Sequence, residues 1–203
     1  MAVDTYSDLK TEIANHLDRT DLTSSIDTFI DLAEARHKRD IRIREMITRY
    51  AITVDGRYED LPTGFLEGIT FRLLTDPVTR LEFLTLDQMA SYRSETSGKP
   101  TKYTIGAQFE FDKAPDASYS GEVMYYKAVT AISDSNTTNA ILTRAPDAYL
   151  YGALLATAPY LMNDERIVTW GQLYKDCVDS LAQARRQEKH MGALVSRPYG
   201  AAP

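Results

Sequence analysis

Thr48-Arg49-Tyr50-Ala51-Ile52-Thr53-Val54-Asp55-Gly56 breaks the helical period of everything before it. Tyr50, Ile52 and Val54 alternate with polar or small neighbours, the two-residue period of a half-buried strand. The Asp-Gly pair behind them predicts a hairpin, because both central residues of a tight hairpin turn tolerate positive φ. Leu61-Pro62-Thr63-Gly64 closes it. Further strands are expected over Leu66–Leu74, Val78–Leu84, Lys102–Ile105, Gln108–Phe111 and Glu122–Val129. A short helix is expected at Leu86–Tyr92. Gly106-Ala107 joins one pair of strands and Lys113–Ser118 another. Residues 48–130 therefore read as a mainly antiparallel β region.

Both flanks read as helix. Tyr6, Leu9, Ile13 and Leu17 fall three and four apart, on one helix face. A second helix follows Ser24 or Ser25, either a plausible N-cap, with Asp27 and Asp31 near its positive end. It turns Ile26, Phe29, Ile30 and Ala33 inward and is expected to run to Arg44 or Met46. After the polar break Ser133–Asn139, Pro146 suits the first turn of a helix that is apolar on nearly all sides. Pro159 should end or kink it. Asn163-Asp164-Glu165 starts a last helix whose stripe is Ile167, Trp170, Tyr174, Cys177, Val178 and Leu181; Arg185, Arg186, Lys189 and His190 crowd its end, and Met191-Gly192 stops it. The fold class is α+β: residues 1–47 and 131–192 form a helical bundle, 48–130 an inserted β domain, and 193–203 a C-terminal extension.

The composition excludes several functions. A formal charge of −6 and a pI near 5.1 argue against DNA as a tightly held ligand, because a sequence-independent binder needs a positive footprint. The single cysteine precludes an intrachain disulfide. No apolar leader and no apolar run of spanning length occur, so no membrane is expected as a partner. Asn136-Thr137-Thr138 fits the glycosylation triplet, and without a leader it reads as chance. Phosphate-cradling loops, HExxH and GxSxG are absent. Three scattered histidines and one cysteine make a structural zinc site improbable, so neither metal nor other cofactor is expected. On one continuous helix Cys177 and His190 would stand ~20 Å apart, too far for a nucleophile and its base.

The remaining candidates are clusters. Glu59-Asp60, Glu110 with Asp112, and Asp164-Glu165 bring carboxylates close, but a glycosidase needs them across a cleft; charged strand edges are the plainer reading. Arg36, Lys38, Arg39, Arg42 and Arg44 either complement the negative end of the second helix or form a charged face toward another subunit, or a rim near DNA or an acidic partner. The tyrosines outnumber the phenylalanines, 13 to 6, and several lie in the β region, where strand propensity and interface use both favour them. Tyr125 and Tyr126 point to opposite faces of one strand, so one is expected in the core and the other outside. Leu194, Val195, Arg197 and Tyr199 lie in a tail too short for a core of its own: a frayed end, or an arm that docks on a partner.

Leu61-Pro62-Thr63-Gly64-Phe65-Leu66-Glu67-Gly68-Ile69, Gly98–Tyr103, Tyr125-Tyr126-Lys127 and above all Ala145-Pro146-Asp147-Ala148-Tyr149-Leu150-Tyr151-Gly152-Ala153-Leu154-Leu155, with Ala158-Pro159-Tyr160-Leu161 and Asp164-Glu165-Arg166, resemble a family of tailed-bacteriophage head-to-tail adaptor, or connector, proteins. The likeness covers roughly residues 58–175. It implies a non-enzymatic neck subunit of the virion, made in the host cytoplasm, without cofactor. It also implies a ring, typically of twelve copies, between the capsid portal and a downstream tail or nozzle protein, with a C-terminal arm on the portal. Genomic DNA would pass through the ring without tight binding, repelled by its negative charge. A tail-completion or tube-terminator protein is the neighbouring alternative. A tail-associated carbohydrate-binding or carbohydrate-active protein is the distant one; it calls for an aromatic pocket holding a carboxylate pair.

Overall fold

The computed structural model describes residues 3–161 and 164–189. The chain divides into two compact units: one from its two flanks, up to Glu45 and from Thr130 on, the other Met46–Val129. The class is α+β.

In the first unit, α1 (Tyr6–Leu17) opens on a capping box. The Thr5 hydroxyl accepts from Asp8 N–H, and the Asp8 carboxylate accepts from Thr5 N–H. Its buried face is Tyr6, Leu9, Ile13 and Leu17, the set the spacing selects. α2 (Ile26–Asp40) buries Ile26, Phe29, Ile30 and Ala33 as expected, together with Glu34 and His37. Ser25 does not cap it. A 3-10 turn over Thr23–Ser25 leads in and holds Ser25 in right-handed helical backbone, with no side-chain cap bond. The helix also stops earlier than expected. Ile41 is already extended, and Ile41 and Ile43 are both buried, a two-residue period that a helix cannot satisfy.

Asn139 caps the short α4 (Ala140–Arg144), accepting from Ile141 and Leu142 N–H; the helix was not foreseen. Pro146 then occupies the first turn of α5 (Pro146–Ala156), as expected. α5 buries Ala148, Tyr149, Gly152, Ala153 and Leu154 and packs on α1, α2 and α6 (Arg166–Lys189). It ends ahead of Pro159, which lies in a 3-10 turn. Asp164 accepts from Arg166 N–H at the start of α6; Asn163 lies outside the described residues. Trp170, Tyr174 and Cys177 are the buried part of the α6 stripe, and Ile167, Val178 and Leu181 are half-buried.

The second unit packs two four-stranded sheets over one aromatic core. One sheet has the order β1 (Ile47–Val54), β8 (Tyr119–Lys127), β3 (Phe65–Leu73), β4 (Thr79–Arg80). The other runs β2 (Tyr58–Asp60), β7 (Gln108–Phe111), β6 (Lys102–Ile105), β5 (Glu82–Phe83). α3 (Leu86–Tyr92) spans the expected range, with a capping box from Thr85 and Gln88. Phe71 meets Phe109 and Phe111 edge to face at 5.2 and 5.5 Å, with Leu73, Val123 and Tyr125 beside them.

Three expectations need correction. Asp55-Gly56 does not make a hairpin: β1 pairs with β8, and β2 with β7 in the other sheet. The two residues turn the corner between sheets, their N–H groups donating to Glu59 Oε1 at 3.1 and 2.9 Å. Among the described residues Gly64 is the glycine with positive φ, 76°; Phe65 N–H closes that turn on the Pro62 carbonyl, and this turn also crosses between sheets. Lys113–Ser118 likewise joins strands of different sheets, and Val78–Leu84 is split between them at Leu81, which is buried. Finally, Tyr125 and Tyr126 are both buried, at 3% and 2% exposure, so neither is an outer-face tyrosine. The pairs are antiparallel except β5 with β6.

Candidate functional site

The helical unit holds a polar cluster in its interior. Glu34 Oε1 accepts from the Tyr149 hydroxyl at 3.0 Å and from Ile132 N–H at 2.8 Å. Asn139 donates to the same tyrosine oxygen at 2.6 Å and to the Thr130 carbonyl at 2.9 Å. The cluster ties α2 to α5 and to the polar segment before α4. Burial, and then the Glu34 charge, push the Tyr149 hydroxyl well above the usual tyrosine range, so it stays a donor.

One turn further along α2, the His37 ring lies between Tyr149 and Tyr174, with centroids at 4.6 and 6.1 Å. Its Nε2 faces the Ala148 carbonyl at 3.2 Å, while Nδ1 is buried without a partner. Burial lowers its pKa to about 4, so the ring is neutral at pH 7 and Nε2 carries the proton it donates. The Tyr174 hydroxyl donates to Asp40 at 3.0 Å, and the Arg36 guanidinium lies over the Tyr174 ring, 5.5 Å from its centroid. Buried Cys177 is pushed up to about 12 by burial and by its bond to Asp147. A thiol so protonated is no nucleophile at neutral pH. These groups are engaged in joining helices.

The basic residues divide. Arg39 and Arg42 donate to the Ala35 carbonyl at 3.0 Å and the Lys38 carbonyl at 2.9 Å, in the helix-end arrangement. Lys38 and Arg44 are exposed, Arg44 in a 3-10 turn (Arg44–Met46) beyond the helix. Leu194, Val195, Arg197 and Tyr199 lie outside the described residues, as does His190.

The carboxylate pairs are taken up in local structure. Glu59 receives the Asp55 and Gly56 N–H groups. Asp112 lies past the end of β7, buried, and accepts from Thr101 N–H, the Thr101 hydroxyl and Lys102 N–H at 3.0, 2.8 and 3.1 Å. Glu110 instead faces Arg93 at 3.6 Å, so residues 110 and 112 are not a pair. Asp164 bonds Arg166, which holds its carboxyl below the usual range. No group of three or more potential metal ligands occurs among the described residues, and no described helix is long and apolar enough to cross a membrane. A groove of about 400 Å³ on the β unit is lined by residues 65–69 with Phe83, Tyr103 and Ile105. It is apolar, with Glu67 its one carboxylate.

Glu34 and His37 were passed over as site candidates. Both had a signal: counting on from Ile26, Phe29, Ile30 and Ala33 by threes and fours reaches them.

Against known families, residues 4–197 match the SU10 adaptor protein model. The chain belongs to that family of phage head-to-tail adaptors. No curated protein matches the sequence. Adaptors act through contacts with other phage head and tail proteins, which directs attention to the surface. Its buried polar groups join helices and strands, and its exposed apolar residues include Phe83, Leu86 and Tyr92 in the β unit and Leu32 and Val168 in the helical unit.

Proposed function

We propose that this adaptor is a structural subunit of the virion neck. Copies form a ring, of twelve as the resemblance implies, that joins the capsid portal to the downstream tail or nozzle protein. The observation that carries the reading is the family match over nearly the whole chain. Its chemistry is consistent with that role, since the close carboxylates and the buried thiol serve internal bonds. A chain of net charge −6 repeated around a passage would repel the duplex and let it slide. The C-terminal extension 193–203, with Leu194, Val195, Arg197 and Tyr199, is assigned to the portal. Exposed Lys38 and Arg44 with Arg36, Arg39 and Arg42 are assigned to a face between subunits.

The test is to mix the purified adaptor with portal and, separately, with tail components, and to image what forms by electron microscopy. A ring beneath the portal is expected. Binding to tail components alone would overturn the reading in favour of a tail-completion protein.

A further inference from the structure

The edges of the two sheets in the β unit are not alike. β2, β4 and β5 have three, two and two residues, the short form that keeps an edge from recruiting another chain. β1 has eight, in unbroken register with β8. It contains no Pro or Gly and one charge, Arg49. Among the described residues no strand lies on its other side. Tyr50 is 41% exposed, and Arg49, Ala51 and Thr53 are exposed with it. Neither shortness, nor a bulge, nor Pro blocks this edge.

At the opposite edge of the same sheet, β4 covers only Arg72 and Leu73 of β3, and Leu81 N–H adds one bond to the Phe71 carbonyl. Phe65–Thr70 therefore pair with β8 on one side and, among the described residues, with no strand on the other. The apolar groove described above runs beside this open stretch.

We infer that β1 of one copy pairs with residues 65–70 of the next, so that the sheet continues from subunit to subunit. The inference rests on the ring reading for its symmetry. Two different edges of one molecule meet in a head-to-tail contact, the kind that closes rings. The direction follows from topology. β1 is antiparallel to β8, and β8 to β3, so β1 and β3 run the same way. Cyclic symmetry preserves that, and the junction is a parallel ladder.

The register follows from faces and charge. On β1, Thr48, Tyr50 and Ile52 share the face of buried Val54. On β3, Gly68 and Phe71 pair with core residues Tyr125 and Val123, while Glu67 and Thr70 point away. Setting Arg49 beside Glu67 places opposite charges across the junction, in addition to the contact Glu67 already makes within its own chain. It also sets Tyr50 beside Gly68, next to the apolar groove lined by Phe83, Tyr103 and Ile105. Thr48 then meets Phe65, and Ala51 meets Thr70. The register shifts of β3, between Phe65 and Glu67 and between Gly68 and Thr70, keep all four pairs on matching faces. Such bulges also bend a strand, as a closed sheet requires. A two-fold pairing of β1 with β1 would leave the open stretch of β3 and its groove unused.

The test is a cysteine pair, Arg49→Cys with Glu67→Cys, in the full chain assembled with portal and mildly oxidised. A non-reducing gel should show a ladder through trimers and above, absent from either single variant. The Arg49→Glu and Glu67→Arg variants should each lose the ring, and the double variant should regain it. Wild-type rings visible by electron microscopy with only monomers from the cysteine pair would overturn the inference, as would dimers from Arg49→Cys alone. Absence of any wild-type ring on a bound portal would instead strike the ring reading itself, and this inference with it.

Discussion

Lowering the pH from 7 to 5 should loosen the helical unit through His37. In the unfolded chain the imidazole has its ordinary pKa of 6.5, and burial in the fold lowers it to about 4. An added proton would go to Nδ1, which has no acceptor, while the nearby charges of Asp40 and Arg36 act in opposite senses. A depressed folded pKa means that the unfolded chain binds the proton more readily. The stabilisation is therefore complete above pH 6.5, falls as the pH drops below it, and is gone below about 4. The interval from 6.5 to about 4, at ~1.4 kcal/mol per pH unit, amounts to about 3 kcal/mol, of which roughly 2 is lost between pH 7 and 5. That is a large share of the stability of an ordinary domain. Trp170, the one tryptophan in the sequence and buried in α6, reports on this unit alone in urea titrations. The wild type should lose about 2 kcal/mol over that range, and His37→Gln, which can still donate to Ala148, should lose much less. Equal losses in the two proteins would refute the reasoning.

Tyr149→Phe should lower stability by roughly 1–3 kcal/mol in the same titration, because it strips a partner from buried Glu34 and from Asn139. Gly152→Val should lower the melting temperature: even a Cβ there would lie 3.2 Å from both the Ala33 Cβ and His37 Nε2, and overpacking of this kind costs about 1–3 kcal/mol. Gly64→Ala should cost about 1 kcal/mol by thermal melting, since its φ of 76° suits glycine. Deleting residues 193–203 should leave circular dichroism and melting unchanged and weaken co-purification with portal; undiminished attachment would remove the arm from the portal contact.

The legible parts of the fold were those in which one local pattern suffices. The α1 face, the range of α3 and strands β6 and β7 came directly from local pattern; α1 and β7 each bury one face whatever lies beyond it. Asp55-Gly56 misled for the opposite reason. A hairpin and a corner between two sheets share the same flanking alternation, and the difference lies in where Tyr119 and Glu110 end up as the partners of Val54 and Tyr58. The end of α2 failed similarly. Arg39, Arg42 and Arg44 favour a helical end locally, and burial of both Ile41 and Ile43 overrides them.

The candidate site divides along the same line. A motif search finds chemistry concentrated in a few residues, and none of the motifs sought occurs in this sequence. Glu59, Asp112, Asp164 and the thiol are taken up in bonds within the chain, so their sequence neighbours say little about function. An interface made from strand edges is written in topology instead. Tyr50 and Gly68 are 18 positions apart, and neither is unusual alone. They become candidates for one contact only once β8 is known to run between their strands, with no described strand on the far side of β1 or of residues 65–70 in β3. A single-copy reading of the sequence cannot contain that relation, because the proposed contact joins residue 50 of one chain to residue 68 of the next. The same logic makes Arg49 a better probe than any of the Arg36–Arg44 cations. Two of those already serve carbonyls at the end of α2, so replacing them disturbs helix and surface together. Arg49 lies exposed on an edge whose backbone is held from the β8 side, and reversing its charge should change association while leaving the melting temperature of the subunit in place.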